Sequence, residues 1–188
     1  MFVLETLTLR ATTLALATLA TALCACSSKG KDEAGSAPAV IGSALIATAS
    51  GTEIGTAEIV RAKGAISISV RVNGLEAGER ALHLHSTGAC DAPDFTSAGG
   101  HLNPFERAHG SLNPDGQHLG DMPNITTDNY GQAKLVFTFS DDPDHLIQEI
   151  FDADGTAVMI HAGPDDYISD PAGAAGPRIA CGVVKPAN

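Results

Sequence analysis

The sequence predicts an all-β domain, an antiparallel sandwich or barrel that carries one long loop. Residues 65–72 and 132–140 alternate apolar with polar side chains, which is the pattern of a strand with one buried face. The 20 glycines and 10 prolines fall between short apolar runs, as they do in a chain with many turns. Between residues 85 and 129 the alternation stops, and glycine, proline, asparagine, aspartate and histidine take over. A stretch of that length without a strand pattern predicts an ordered loop that is either functional or fixed by a cross-link.

The predicted strands follow from these patterns. The Asn73-Gly74 turn signal comes directly after the first alternating segment. Further strands are expected at 40–49, 52–63, 157–162 and 179–185. A chain of 188 residues is expected to form one folded domain. The side chains expected to share one buried face are Ile66, Ile68, Val70 and Val72 in the first segment and Ala133, Leu135, Phe137 and Phe139 in the second.

The charge of the chain limits its partners. The formal net charge is -11 at pH 7. Nucleic acid and anionic membrane surfaces would be repelled, so neither is an expected partner. An anionic substrate would be repelled as well, unless positive side chains lie close to its site.

The first 25 residues are predicted to be an export signal and not part of the fold. Arg10 precedes an apolar stretch, residues 11–25, that is too short to span a bilayer. The stretch runs into Leu23-Cys24-Ala25-Cys26, which resembles a bacterial lipoprotein signal that is cleaved before Cys26 and then acylated there. An ordinary cleavable signal without a lipid is the alternative.

An exported lipoprotein would be organised in three parts. Residues 1–25 are the signal peptide, 26–37 a lipidated flexible tether, and 38–188 the folded domain. The expected location is the cell envelope or periplasm, with the N-terminal lipid as the only membrane contact.

Two cysteines remain in the predicted mature domain, Cys90 and Cys181. In an oxidising envelope compartment, such a pair is expected to form a disulfide. The bond would close a loop of about 90 residues and would stabilise the fold by roughly 4–5 kcal/mol through the entropy of the unfolded chain. A pair of free buried thiols is the alternative.

Two histidines in a strand-like run are the first candidate metal ligands. His83 and His85 alternate with Leu82 and Leu84, which places both imidazoles on one face of a strand. Surface strands produce the same pattern by chance, so this pair alone is weak evidence. His161, which ends an apolar strand, has an ordinary strand-end histidine as its alternative. His145 lies in what is predicted to be an acidic turn, and it is assigned no role.

The long loop carries the stronger signal. His101, His109, His118 and Asp121 follow one another in the spacing H-x7-H-x8-H-x2-D. Three imidazoles and one carboxylate are a suitable tetrahedral ligand set for zinc. Solvated loop histidines would explain any one of these residues but not all four together.

These motifs resemble those of the copper/zinc superoxide dismutases over about residues 40–184, nearly the whole predicted mature domain. The resemblance implies the family's eight-stranded antiparallel Greek-key β-barrel, an immunoglobulin-like sandwich with long metal-binding and electrostatic loops. The matching segments are His83-Leu84-His85, Gly100-His101-Leu102-Asn103-Pro104, His109-Gly110, His118-Leu119-Gly120-Asp121, Val158-Met159-Ile160-His161 and Gly176-Pro177-Arg178-Ile179-Ala180-Cys181-Gly182.

The resemblance also implies a role for each matching residue. One redox-active copper would be held by His83, His85, His101 and His161, and one structural zinc by His101, His109, His118 and Asp121. His101 would bridge the two metals. Asp165 would link a copper histidine to a zinc histidine, which fixes the orientation of both rings. Arg178 would be the catalytic arginine beside the copper, and Cys90 with Cys181 would form the family's disulfide.

The implied activity is the conversion of two superoxide anions and two protons to O2 and H2O2, by alternate reduction and oxidation of the copper. A family member that binds zinc or copper without dismutase activity is one alternative. A non-catalytic sandwich module on a lipid stalk is the other, but it leaves the metal ligands unexplained. Family members occur as monomers and as homodimers, and no motif in this sequence decides between them.

The sequence departs from the family at the substrate entrance. Relatives often carry lysines on the loop between the last copper histidine and the arginine, but here residues 162–177 contain Asp165, Asp166 and Asp170 and no lysine or arginine. Arg178 and Arg107 are therefore expected to supply most of the attraction for superoxide.

Overall fold

The computed structural model describes residues 37–188, so the predicted signal peptide and residues 26–36 of the predicted tether lie outside the described residues. Within the described part, no helix is long and apolar enough to cross a membrane. The strands are β1 Ala39–Thr48, β2 Glu53–Ala62, β3 Ala65–Val72, β4 Gly78–Arg80, β5 Leu82–His85, β6 Ile125–Thr127, β7 Ala133–Thr138, β8 Ala157–His161, β9 Arg178–Val183 and β10 Lys185–Pro186.

The strands form an antiparallel sheet that curls toward itself. The main sheet has the order β5-β8-β9-β1-β2-β3-β7, with β10 beside β1, and β4 pairs with β6. Only Ala81 separates β4 from β5, so the two are successive parts of one strand, and β6 also lies beside β7. With β4 and β5 taken as one, β1 to β9 make eight strands. Strands that are distant in the sequence pair at β3–β7, β5–β8 and β1–β9, as a Greek key requires. The predicted eight-stranded Greek-key fold is therefore confirmed.

Every second side chain of the strands packs into the hydrophobic core. Ile66, Ile68 and Val70 on β3 are fully buried, while Ser67 and Ser69 between them are only partly buried. In β5 all four residues are buried, because both of its faces are covered. Leu82 and Leu84 point into the hydrophobic core, and His83 and His85 point to the opposite face, beneath the long loop.

One helix lies where the sequence suggested an acidic turn, so that prediction was wrong. Helix α1 spans Pro143–Ile150. Asp142 caps it, because its carboxylate accepts hydrogen bonds from the backbone N–H groups of Asp144 and His145, and proline at the first helical position fits the fixed backbone angle. Leu146 and Ile150, four residues apart, pack into the core.

The expected disulfide is present. Cys90 and Cys181 are bonded, with their Cα atoms 5.7 Å apart. The bond ties the beginning of the long loop to β9. Since β9 begins at Arg178, the same bond holds the loop close to the predicted catalytic arginine.

Candidate metal centre

Neighbouring strands β5 and β8 place three histidines on one buried face. His83 and His85 are 0% and 1% exposed, and His161 at the end of β8 is 3% exposed. His161 lies opposite Arg178 where β8 pairs with β9. The pairing of β5 with β8 therefore brings His161 next to two histidines that lie about 80 residues earlier in the chain.

The long loop returns twice to β5, and each return delivers a ligand candidate. Leu102 N donates to Leu84 O at 2.8 Å, and Leu84 N donates to Gly120 O at 2.9 Å. These bonds set His101 opposite His85 and Asp121 opposite His83. Gly120 is required here, because a Cβ at that position would collide with the carbonyl of Leu84.

The first group of candidates consists of four histidines around one point. One nitrogen from each of His83, His85, His101 and His161 lies within 4.8 Å of the others. These nitrogens are buried and have no hydrogen-bond partner among the described residues: His83 Nδ1, His85 Nε2, His101 Nε2 and His161 Nε2. Buried polar atoms are rarely left without a partner, so this convergence indicates a site for a cation.

The opposite nitrogens of three of these rings are held in place. His85 Nδ1–H donates to Gly99 O at 3.0 Å, and His161 Nδ1–H donates to Gly176 O at 3.0 Å. His83 Nε2–H donates to Asp165 Oδ2 at 2.8 Å. Each bond leaves the unpaired nitrogen with a lone pair aimed at the common centre, which is the arrangement of a metal-ligating histidine.

The second group surrounds Asp121. Its Oδ1 lies 2.8 Å from His101 Nδ1, 3.1 Å from His109 Nδ1 and 3.2 Å from His118 Nδ1, and the last is 3.3 Å from His101 Nδ1. With zinc–nitrogen bonds of about 2.0–2.1 Å, the corners of a tetrahedron lie about 3.3–3.4 Å apart. The four atoms thus nearly have the spacing of a tetrahedral zinc site. His101 contributes one nitrogen to each group, so it lies between the two sites.

Asp165 joins the two groups. Its Oδ2 accepts from His83 Nε2–H at 2.8 Å and its Oδ1 from His109 Nε2–H at 2.9 Å, with both side chains fully buried. Gly173 lies directly against this bridge, because a Cβ there would collide with the Asp165 carboxylate and the His109 ring. The structure thus places Asp165 between the rings of His83 and His109, and the metals that these rings bind belong to the proposal below.

Burial and these contacts shift the pKa values of the site. Burial lowers the pKa of His83 to about 4 and that of His85 to about 2, and it also lowers the pKa values of His101 and His161. Burial also acts to lower the pKa of His109, but hydrogen bonds to Asp121 and Asp165 outweigh it and raise that pKa to about 9. Against the effect of burial, hydrogen bonds from His101, His109 and His118 hold the pKa of Asp121 below its usual range, and bonds from His109 and His83 do the same for Asp165.

The first group opens onto a pocket of about 400 Å³. Arg178 lines it, with its guanidinium held by hydrogen bonds to Phe95 O at 2.6 Å and Gly99 O at 2.7 Å. Among the described residues, Arg178 is the one cationic side chain in this lining. A larger open cleft of 1120 Å³ between β2, β3 and β7 is lined by no histidine within residues 37–188, so volume does not locate the site. The smaller pocket is lined by His85, Gly100, His101, Asn103, His118, His161, Pro171, Ala172, Gly176 and Arg178.

Two side chains lie outside this pocket. Arg107 sits 5.0 Å from the centre of the Phe105 ring and lines a neighbouring cleft that shares only His118 with the pocket. His145 stacks on the same Phe105 ring, with the ring centres 5.2 Å apart, and belongs to neither ligand group. Sequence reasoning also missed the carbonyls of Gly99 and Gly176 that orient two of the histidines, because any residue type supplies a carbonyl.

Comparisons with known proteins agree with this geometry. The profile of the copper/zinc superoxide dismutase (SODC) family matches residues 53–184. Superoxide dismutase [Cu-Zn] 1 of Aquifex aeolicus (strain VF5) is 49% identical over 138 residues, which cover 72% of this chain and 82% of the relative. Superoxide dismutase [Cu-Zn] of Caulobacter vibrioides is 34% identical over 151 residues, which cover 76% and 84%.

Two solved structures share this fold. A SOD-like protein from Bacillus subtilis aligns with a TM-score of 0.69 at 33% identity, covering 75% of this chain and 96% of that one. The Cu/Zn superoxide dismutase from Brucella abortus aligns with a TM-score of 0.62 at 26% identity, covering 79% and 100%. The chain belongs to the copper/zinc superoxide dismutase family, whose metals are copper and zinc and whose substrate is superoxide.

Proposed function

We propose that the chain is an active superoxide dismutase in which the first histidine group holds copper and the second group holds zinc. The observation that carries this proposal is the convergence of four buried, unpaired imidazole nitrogens at the end of a pocket that an arginine also lines. All four copper positions, all four zinc positions and the arginine are occupied by the residue types that the activity requires.

The two sites suit different metals. The first group contains only imidazoles, whereas the second includes a carboxylate, an oxygen ligand that zinc accepts beside imidazole nitrogens. Copper bound in the first group supplies the one-electron redox chemistry that disproportionation of superoxide needs and that zinc lacks.

The residues of the chain contribute binding, orientation and proton handling. Arg178 offers a planar guanidinium, already oriented by two carbonyls, to an anion that enters the pocket. His101 Nε2 faces the same space, so this atom can accept a proton and return it to the product. Asp121 Oδ1, 2.8 Å from His101 Nδ1, holds the other nitrogen of this ring during that exchange.

Neutral imidazoles support the ligand assignment. The lowered pKa values of His83 and His85 keep both rings uncharged at neutral pH, which is the form that binds a metal ion. A family member that binds metal without dismutase activity is the second candidate, and the presence of every ligand together with Arg178 argues against it.

For the cellular location, we infer export and lipid anchoring from residues 1–37. The apolar stretch at 11–25 and the small residue before Cys26 support a lipoprotein signal, and the envelope would allow the Cys90–Cys181 disulfide to form. The folded domain would then be held at the membrane surface by a short polar tether.

The catalytic proposal predicts one copper, one zinc and superoxide consumption in the purified mature protein. His83→Ala and His161→Ala should each lose copper and reduce activity to the background rate, because each removes one of four converging nitrogens. His145→Ala is the matched control and should keep both metals and full activity, since His145 belongs to neither group. Zinc binding without superoxide consumption in the parent protein would instead support the second candidate.

Substrate attraction should depend on Arg178. Arg178→Ala is expected to lower kcat/KM by about tenfold or more and to flatten its dependence on salt, because this cation lies inside the pocket. Arg107→Ala should have a smaller effect, since Arg107 lines a different cleft. Rates from low to high ionic strength measure both effects. A steep fall of kcat/KM with salt that persists in the variant lacking both arginines would refute the assignment of substrate attraction to Arg178 and Arg107.

The metal-free protein should lose stability in acid. As the pH falls from about 6.5 toward about 4, the unfolded chain binds protons that the buried His83 and His85 do not, so the free energy of unfolding decreases. The contribution of His109 to stability depends on pH in the opposite direction. It is fully present below about pH 6.5 and is lost as the pH rises through about 9.

Urea unfolding of the metal-free protein at pH 7, 6 and 5 tests this dependence. His85→Gln should reduce the acid-induced loss. Equal stability at pH 7 and pH 5 would contradict the prediction.

Anchoring is tested by the intact mass of the mature protein isolated from membranes. A chain that begins at Cys26 with added acyl mass is expected, and Cys26→Ser should release the protein from the membrane fraction. A mature chain without acyl mass would indicate the ordinary cleavable signal.

A further inference from the structure

The loop of residues 162–177 holds His109 at two points. Asp165 Oδ1 accepts from the ring Nε2–H at 2.9 Å, and Asp170 Oδ1 accepts from the backbone N–H at 2.6 Å. In the described part of the chain, no other side chain accepts from this backbone group. The first bond fixes the ring and the second fixes the main chain, so together they determine where His109 Nδ1 points.

Asp170 also leads directly into the wall of the substrate pocket. Pro171 and Ala172 follow it in the sequence and line the pocket that contains His85, His161 and Arg178. Any displacement of Asp170 would therefore move this wall. The chain turns back immediately afterwards, where Gly173 N donates to Ser169 O at 2.7 Å and Asp166 N donates to Gly173 O at 2.9 Å.

Other contacts between the two loops do not involve His109. Leu112 N donates to Tyr167 O at 2.9 Å, and Asn113 Nδ2 donates to Ile168 O at 3.4 Å. Both contacts join the loops beyond Gly110. The neighbouring backbone is held by Ala108 N, which donates to Asp115 O at 3.1 Å, and by Gly110 N, which donates to Asp121 Oδ2 at 2.9 Å. The N–H of His109 itself is held by Asp170.

From the sequence alone, Asp170 was expected to be one of the acidic groups that repel an anionic substrate. Its carboxylate, however, makes a charge-assisted hydrogen bond, a stronger kind than a bond between neutral groups. We propose that Asp170 is a positioning residue, which fixes the zinc ligand His109 and the Pro171–Ala172 wall relative to each other. This inference rests on the proposed assignment of His109 to zinc.

Four variants separate positioning from charge. Asp170→Glu keeps the charge but moves the acceptor by one methylene, Asp170→Asn removes the charge but keeps an acceptor oxygen, and Asp170→Ala removes both. Asp166→Asn is the matched control, because Asp166 lies on the same loop and, within residues 37–188, its side chain accepts only from Ile168 and Ser169 of its own turn.

The measurements use the protein loaded with both metals. The first is the rate of zinc release to a chromophoric chelator at neutral pH, and the second is kcat/KM at low and high salt. Asp170→Ala and Asp170→Glu should release zinc about tenfold faster than the parent, as changes to groups that support metal ligands do. Asp170→Asn should stay within about threefold, since its amide oxygen can still accept the bond. Asp166→Asn should retain zinc as the parent does.

If Asp170 acts only as a surface charge, the opposite pattern is expected. Asp170→Glu would then release zinc at the rate of the parent. Asp170→Asn would raise kcat/KM at low salt only, as Asp166→Asn does, and this result would overturn the inference. If Asp170→Ala fails to fold, Asp170→Glu gives the same decision. A parent protein that binds no zinc would refute the proposed function itself. A parent that binds zinc, with Asp170 variants that release it at the same rate as the parent, would refute only the role of Asp170.

Discussion

The shared carboxylate of Asp165 is the interaction on which the rest of the site depends. It accepts one hydrogen bond from a ring on strand β5 and another from a ring on the long loop, and both rings are fully buried. A buried carboxylate is costly unless it is paired, so these two bonds allow it to stay charged there. In return, it fixes one nitrogen of each ring and turns the other toward a metal position. The β-barrel and the loop are thereby joined through ligand geometry as well as through backbone bonds.

The barrel makes this arrangement possible because β5 is buried on both faces. Leu82 and Leu84 belong to the hydrophobic core, and the two histidines between and after them face the loop. A shift of one residue in the register of β5 against β8 would exchange the two faces, so the packing of the leucines also specifies the position of the histidines. The same register of β5 is therefore required both for the packing of the core and for the placement of the histidines.

The parts of this protein that sequence predicts well are those that depend on residue type at fixed spacing. The sequence patterns located the main strands within one or two residues, and the spacing of three histidines and Asp121 identified the second ligand group. The first group, above all His161, was expected only from the resemblance to the family. Helix α1 was missed because it has only eight residues and its three large apolar residues, Leu146, Ile147 and Ile150, follow an acidic segment. The carbonyls of Gly99 and Gly176 and the backbone contact of Asp170 could not be predicted, since they depend on where the main chain lies.

The acidity of the chain conflicts less with an anionic substrate than the net charge of -11 suggests. Charges farther from the pocket than the Debye length, about 8 Å at physiological salt, are largely screened. Of the three acidic residues on the loop, Asp165 is buried between two imidazoles and Asp170 accepts a backbone hydrogen bond. Asp166 is bonded within its own turn, to Ile168 and Ser169. Arg178 lines the pocket itself and is held by two neutral carbonyls. The carboxylate that acts on its charge, Asp94, is exposed to solvent, which screens the interaction. The local field at the proposed copper therefore depends on one arginine at close range more than on the many carboxylates of the surface.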